Sequence, residues 1–274
     1  MLAWMGLAMM VSTRWWLGGV VSLTRDRSLA DQLLTQVRAC CQPLRALLVC
    51  TDGWSAYPSS IRRAFREQVK KTVGRGRACL QAWPEVCIAT VIKRTEKKRV
   101  VEVIRRMSQG TLEQAHRLLA QSQGGNVLNT AFIERLNGTM RERLASLTRK
   151  CRHAARRLEA LEVGMYLLGG TYTFCWPHHE LSKPTHLGSP TTPAMAAGLT
   201  DHIWSVQALL SYRVAPAPWV APKRRGRPVK QTKLHARKHQ LPGEQPLCWL
   251  LGVSVLKQAK KESYRYLITC HLPV

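Results

Sequence analysis

The sequence predicts an α/β protein in which helices flank a mixed sheet. Apolar residues fill positions 2–11 and 15–23 on either side of a short polar break, which predicts a β-hairpin. Residues 26–38 then place apolar side chains on one helical face, and residues 46–50 form an apolar run of strand length. The resulting strand–strand–helix–strand order is typical of a sheet with helices packed on its faces.

Further elements are predicted along the first two thirds of the chain. Thr130 is a suitable N-cap, and it predicts a helix that runs toward residue 148. Helical spacing also marks residues 110–123 and 154–166, and residues 85–92 are β-rich. We interpret the basic interval of about residues 61–107 as an insertion in a domain that covers residues 1–183.

The last third of the sequence is rich in proline and is predicted to be different. Seven of the ten prolines that follow residue 183 lie within residues 184–228, at positions 184, 190, 193, 216, 218, 222 and 228. We expect residues 184–274 to form a largely irregular basic tail, with a short helix or two within residues 194–210. Residues 241–274 show no clear periodic pattern.

The charge balance indicates a polyanionic partner. Lysine and arginine number 42 against 16 acidic residues, which gives a formal net charge of +26 and a pI near 10.5. Each phosphate that a basic side chain neutralises releases condensed counterions, so nucleic acid is the first candidate. Membrane binding usually needs an anchor, and the apolar start is shorter than the ~20 residues of a spanning helix. We therefore expect a cytoplasmic, nucleoid-associated protein with no membrane partner and no small-molecule substrate.

The nine cysteines are scattered and never spaced Cys-x-x-Cys. This pattern argues against a disulfide framework and favours small buried thiols in a reducing compartment. The run Cys175-Trp176-Pro177-His178-His179 contains metal-ligating residue types. A structural role is the favoured interpretation, because no second pair of ligands accompanies it.

Two acids are the candidate chemical groups. Asp52 ends the predicted strand, and Glu134 lies near the start of the predicted helix, where Asn137 and Arg141 share its face. Phosphoryl transfer on DNA commonly uses two Mg²⁺ ions about 3.5–4 Å apart, held by carboxylates from several elements. The alternatives are that Asp52-Gly53 is only a turn and Glu134 only a solvated surface charge.

Residues 22–181 resemble DDE-type transposases of bacterial insertion sequences, whose catalytic domain has the ribonuclease H-like fold. Residues 192–201 are similar to a segment that often follows that domain. The resemblance implies that Asp52 is the second acid and Glu134 the final acid of the catalytic triad, and that both hold Mg²⁺ or Mn²⁺. The matching blocks are Asp52-Gly53-Trp54-Ser55-Ala56-Tyr57 and Asn129-Thr130-Ala131-Phe132-Ile133-Glu134-Arg135-Leu136-Asn137.

The resemblance also implies an activity and partners. The intact family performs metal-assisted hydrolysis of DNA followed by strand transfer, acting on transposon ends and target DNA. A second copy of the chain or a full-length transposase is the implied protein partner. The DNA-contacting residues implied by the blocks and the basic clusters are Arg62, Arg63, Lys70, Lys71, Arg135, Asn137, Arg141 and Arg143.

One departure from the family bears on activity. The family's first aspartate lies on an opening strand ahead of the hairpin, whereas no acid precedes Asp26 here. We therefore expect a ribonuclease H-like sheet that is incomplete at its first strand, through a truncated reading frame, a misassigned start or a degraded element. We expect this chain alone not to transpose DNA. The alternative is a non-catalytic DNA-binding protein that regulates or inhibits a transposase.

A separate motif lies in the tail. Residues 222–230 resemble an AT-hook, with the core Arg225-Gly226-Arg227-Pro228. In such a motif the glycine lets the backbone lie on the floor of the minor groove, and narrow A·T grooves attract inserted arginine. A generic basic linker is the alternative interpretation.

Overall fold

The computed structural model describes residues 3–41, 46–69, 78–97, 99–122, 125–147, 155–183, 188–213 and 266–273. The strands are β1 (Trp4–Met10), β2 (Trp16–Ser22), β3 (Leu47–Thr51), β4 (Arg66–Val69), β5 (Cys79–Ala82), β6 (Val86–Glu96), β7 (Arg99–Gln109) and β8 (Tyr266–Pro273). The helices are α1 (Arg27–Cys40), α2 (Ala56–Ala64), α3 (Leu112–Gln121), α4 (Ala131–Arg143), α5 (Leu158–Phe174), α6 (Pro193–Ala196) and α7 (Val206–Ser211), with a short 3₁₀ turn at Ala145–Leu147.

The main sheet has six strands in the order β2-β1-β8-β3-β6-β7, and it is mixed. Strand β3 runs parallel to β6 and β8, whereas β1–β2, β1–β8 and β6–β7 are antiparallel. Strands β4 and β5 form a separate two-stranded ribbon. The predicted mixed α/β architecture is confirmed.

Side-chain alternation along the buried strands divides the core between the two faces of the sheet. Leu48 and Cys50 pack in one cluster with residues of α3, α4 and α5. Leu47 and Val49 pack in the other cluster with α1 and α2. Successive residues of a strand point to opposite faces, so β1, β2, β3 and β6 contribute to both cores.

The predicted hairpin and first helix are both confirmed. Strands β1 and β2 pair from Trp4↔Ser22 onward. Helix α1 is capped by Asp26, whose side chain accepts a hydrogen bond from the backbone N–H of Leu29 at 3.2 Å. The helix buries its apolar face, formed by Leu29, Ala30, Leu33, Leu34 and Val37.

Strand β8 is the largest departure from the expected architecture. It pairs with β1 from Trp4↔Pro273 to Met10↔Leu267 and with β3 from Leu48↔Tyr266 to Thr51↔Thr269. The expectation of an irregular tail was therefore wrong for residues 266–273, which occupy the sheet position between β1 and β3. The physical reason is that β1 and β3 each present a row of backbone groups that need partners, and this short aromatic and β-branched run satisfies both rows.

Two further boundaries differ from the predicted ones. Strand β6 pairs with β3 along the whole length of β3, so residues 86–96 belong to the main sheet and not to an insertion. Ala194 and Ala197 are buried in the same core cluster as α1 and α2. The packed core thus extends beyond residue 183, and the prediction of a short helix or two within about residues 194–210 is confirmed by α6 and α7.

Candidate functional site

Asp52 follows the last residue of β3, at the end of that strand. Its Oδ1 atom accepts a hydrogen bond from the backbone N–H of Trp54 at 3.1 Å, which closes a tight turn. Gly53 lies against β6, and a Cβ atom there would approach Ile92 Cγ1 to 3.2 Å. Alternation from Leu48 and Cys50 places Asp52 on the face of the sheet that α4 covers.

Glu134 lies in the first turn of α4. Both of its carboxylate oxygens accept hydrogen bonds from Lys93 Nζ, each at 2.6 Å. Oε1 also accepts a hydrogen bond from the hydroxyl of Thr130 at 2.5 Å. Thr130 occupies the predicted N-cap position, but its side chain binds Glu134 and makes no cap hydrogen bond to the backbone.

Strand β6 connects the two acids. It lies beside β3, its residue Ile92 contacts Gly53, and the next residue, Lys93, binds Glu134. Cys87 and Ala89 share the α4-side core cluster, so alternation places Lys93 on that same face. The fold thus brings the neighbourhoods of Asp52 and Glu134 to one end and one face of the sheet.

The donor set of this site does not fit two metal ions. Within the described ranges, no group of three histidine, cysteine or acidic side chains is placed to hold a metal ion. Strand β8 pairs beside Asp52's strand, but its residues Tyr266–Pro273 include no aspartate or glutamate. A divalent cation such as Mg²⁺ needs several oxygen ligands, and one of the two carboxylates is already bound to an ammonium group.

The predicted DNA-contacting residues of α4 fall into two groups. Arg135, Arg141 and Arg143 are exposed on the helix surface, and the guanidinium of Arg143 lies 5.4 Å from the ring centroid of Trp176. Asn137 is only 3% exposed, and its Oδ1 atom has no hydrogen-bond partner among the described residues. Because it is buried, Asn137 as placed does not reach a DNA molecule bound at the surface.

The predicted contacts Arg62 and Arg63 lie on α2, on the opposite face of the sheet from α4. Arg62 donates to Gln109 Oε1 at 3.2 Å and to the Ser108 carbonyl, and Arg63 forms an ion pair of 2.8 Å with Asp31. Both guanidiniums therefore link α2 to neighbouring elements. The predicted contacts Lys70, Lys71, Arg225, Gly226, Arg227 and Pro228 lie outside the described residues.

A cluster that the sequence reasoning missed lies beside Arg135. Arg14, in the turn of the hairpin, is 8% exposed, and its guanidinium lies 4.1 Å from the ring centroid of Phe132. Burial, together with the positive charges of Arg14 and Arg135, lowers the pKa of His178 to about 4. Burial also raises the pKa of Tyr172 to about 12. The polar break in the hairpin was the only signal, and it gave no indication that Arg14 would be buried.

The segment with metal-ligating residue types, residues 175–179, also has local partners. The backbone N–H of His178 donates to the Thr191 carbonyl at 2.8 Å, and His179 lies 3.5 Å from Glu180. No metal-binding group involving these residues occurs in the part of the chain that the structure describes. The structural interpretation of this run is the one that its contacts support.

Comparison with known proteins adds no identification. No family model, curated protein or solved structure matches the chain. Among the helices of the described ranges, none has both the length and the apolar character needed to cross a membrane.

Proposed function

We propose that this chain is a DNA-binding protein related to DDE-type insertion-sequence transposases, with a ribonuclease H-like domain that does not cleave DNA by itself. The observation that carries the proposal is the placement of the two predicted acids. Asp52 and Glu134 are 82 residues apart (134 − 52), and both lie near the same end of β6, where Ile92 meets Gly53 and Lys93 binds Glu134.

The arrangement of the sheet supports the ribonuclease H-like part of the proposal. The resemblance implies an opening strand ahead of the hairpin. Such a strand would pair with β1 on the side away from β2. In this chain β8 occupies that position, between β1 and β3. The order of hairpin, inserted strand and parallel strands across the sheet supports a ribonuclease H-like domain in which residues 266–273 are the inserted strand.

The distribution of charge supports DNA as the partner. The chain carries a net charge of +26, and Arg135, Arg141 and Arg143 are exposed on the helix that carries Glu134. Arginine binds phosphate oxygens through a planar fork of N–H donors. We therefore assign the phosphate-contacting surface to the exposed face of α4 and not to α2, whose Arg62 and Arg63 are already hydrogen-bonded to neighbouring elements of the protein.

The site chemistry supports binding without cleavage. A two-metal mechanism needs carboxylates from several elements to hold the cations. Here Glu134 is bound by Lys93, and the strand between β1 and β3 brings no acid to Asp52. The chain's own residues can attract and orient a phosphate, and they do not supply the ligands for a pair of metal ions.

DNA binding is tested by fluorescence anisotropy of a labelled duplex titrated with the full chain at several salt concentrations. The double variant Arg135→Gln/Arg141→Gln should bind at least tenfold more weakly. It should also flatten the dependence of log K on log salt by about 0.9 for each phosphate that the protein no longer neutralises. Arg62→Gln/Arg63→Gln is the matched control, because it removes two charges of the same kind from the opposite face. Equal losses in both variants, or binding that salt does not weaken, would refute the assignment.

Cleavage is tested with supercoiled plasmid and with linear duplex in Mg²⁺ or Mn²⁺. We expect no nicking by the wild-type chain above the level of an Asp52→Ala variant. Robust nicking that Asp52→Ala abolishes would overturn the non-cleaving part of the proposal and leave the DNA-binding part intact. Asp52→Ala must first show an unchanged circular dichroism spectrum, since Asp52 also closes the turn to Trp54.

A further inference from the structure

The Glu134 carboxylate forms an ion pair with one positively charged side chain of the same protein. A single ammonium nitrogen, Lys93 Nζ, lies 2.6 Å from both carboxylate oxygens. Thr130 adds a third hydrogen bond to Oε1, so three donated hydrogen bonds from β6 and from the start of α4 converge on one carboxylate. Ammonium–carboxylate hydrogen bonds of this length are charge-assisted and are among the stronger ones in proteins.

We propose that Lys93 is the built-in cation of this site, neutralising Glu134 where a divalent metal would otherwise bind and so making the site independent of metal. The inference rests on the proposed function, because it takes the end of the sheet at Asp52 and Glu134 to be the site that meets DNA. The presence of Lys93 explains why the side chains at this site do not provide the ligands for two metal ions.

The dipole of α4 accounts for the position of Glu134 but does not account for Lys93. The N-terminus of a helix carries a partial positive charge, so it favours the Glu134 carboxylate and disfavours a nearby ammonium group. Glu134 is the acidic residue in the first turn of α4, and it would satisfy the helix without Lys93. The ammonium group is therefore held by the carboxylate itself.

The neighbouring ion pair on β6 differs from this one in a useful way. Arg94, the next residue, pairs with Glu102 of β7 at 3.0 Å, and both side chains are at least half exposed. Alternation places Arg94 on the opposite face from Lys93. Arg94 thus offers a matched control, with the same charge on the same strand but facing away from Glu134.

The consequence for function concerns what the site can do to a phosphate. An ammonium group offers three N–H donors and a positive charge, but it has no further coordination positions for water. A DNA phosphate that reaches this edge is attracted by the exposed arginines of α4, and the site's own cation, paired with Glu134, does not activate a water molecule to attack it. DNA affinity should therefore be the same in EDTA and in Mg²⁺ at constant ionic strength.

The test measures Mn²⁺ binding to the metal-free full chain by isothermal titration calorimetry and by electron paramagnetic resonance of free Mn²⁺. The variant Lys93→Met keeps an apolar stem of similar length and removes the charge. We expect Lys93→Met to bind Mn²⁺ at least tenfold more tightly than the wild type. The gain should disappear in Lys93→Met/Glu134→Gln, and Lys93→Arg and Arg94→Met should both behave like the wild type.

Two outcomes would overturn the inference. One is a wild-type chain that binds Mn²⁺ as tightly as Lys93→Met and loses that binding on Glu134→Gln. The other is a folded Lys93→Met protein, shown by its circular dichroism spectrum and melting temperature, that gains no affinity. Both measurements are made without DNA, so a failure here is distinguishable from a failure of DNA binding, which anisotropy measures in EDTA.

Discussion

Gly169 of α5 packs directly against the indole ring of Trp16 on β2, so closely that a Cβ atom there would lie 2.1 Å from Trp16 Cε3. Gly169→Ala should therefore force the helix away from the sheet. Overpacking of this kind costs about 1–3 kcal/mol of stability. The loss should appear as a lower denaturation midpoint in guanidinium, followed by circular dichroism, with an unchanged slope.

Gly138 provides the control for this prediction. It lies inside α4, it is exposed, and a Cβ atom there would meet nothing within 4 Å among the described residues. Gly138→Ala should stabilise the protein by about 0.5–1 kcal/mol, because alanine loses less conformational entropy in a helix. A Gly169→Ala protein as stable as Gly138→Ala would show that α5 does not pack on β2 in this way.

A substitution in β8 should have a large effect on stability, although the sequence of this segment predicted an irregular tail. Ile268 pairs with Met9 on one side and with Cys50 on the other. Ile268→Pro removes a backbone donor from the centre of the sheet, and we expect a loss of about 3 kcal/mol or more. Thermal unfolding of the full chain measures the change.

Val101→Pro is the matched control for the strand prediction. Val101 lies where the register between β6 and β7 shifts, between the pairs Arg94↔Glu102 and Thr95↔Val100, and β7 is an edge strand. Proline is tolerated at bulges and on edges, so this variant should lose about 1 kcal/mol or less. Equal tolerance of both prolines would mean that residues 266–273 do not complete the sheet.

The elements predicted from sequence were those whose apolar pattern is long enough to carry a signal. The hairpin and α1 span whole strands and several helical turns, so their period was visible. Strand β8 has eight residues and follows a long segment without a clear pattern, and its pairing depends on open edges more than 200 residues away in the chain (266 − 51 = 215). Pairing between residues so far apart in the chain cannot be detected from a short stretch of sequence.

The candidate site was likewise predictable only where its features are local in the sequence. Residue type and spacing indicated Asp52 and Glu134, because an acid at a strand end and an acid on a helix are local features. The contact of Lys93 with Glu134 was not predictable, since Lys93 stood in a basic run as one of several similar charges. The burial of Asn137 and the inward position of Arg14 also depend on how α4 and α5 pack, which no spacing rule specifies.

The tail motif predicts base-composition preference in DNA binding. If residues 225–228 act as an AT-hook, the full chain should bind an A·T-rich duplex several-fold more tightly than a G·C-rich duplex of equal length. Arg225→Gln/Arg227→Gln should remove that preference and leave the salt-dependent binding assigned to α4. Competition anisotropy measures the ratio, and equal affinity of the wild-type chain for both duplexes would leave only a basic linker.

His178 predicts a dependence of stability on pH. Its pKa is lowered from 6.5 to about 4 in the folded protein, chiefly by burial, so the unfolded chain binds more protons between these values. Stability from this group is fully present above pH 6.5 and is lost as the pH falls toward 4. Because water screens a partly exposed ring, we expect the loss to be about 1–2 kcal/mol, less than the full shift would give at about 1.4 kcal/mol per pKa unit. The measurement is the free energy of unfolding of wild type and His178→Gln at pH 7, 6, 5 and 4.

The carboxylates titrate in the wild type and in the variant alike, so the difference between the two curves isolates His178. That difference should shrink as the pH falls, because glutamine has no proton to gain. His116→Gln is the control, because it replaces an exposed histidine of α3 in the same way, and the wild-type pH profile should persist. A His178→Gln curve parallel to the wild-type curve from pH 7 to 4 would mean that His178 takes up its proton without cost, and that the cluster of Arg14, Arg135 and His178 is not closed to water.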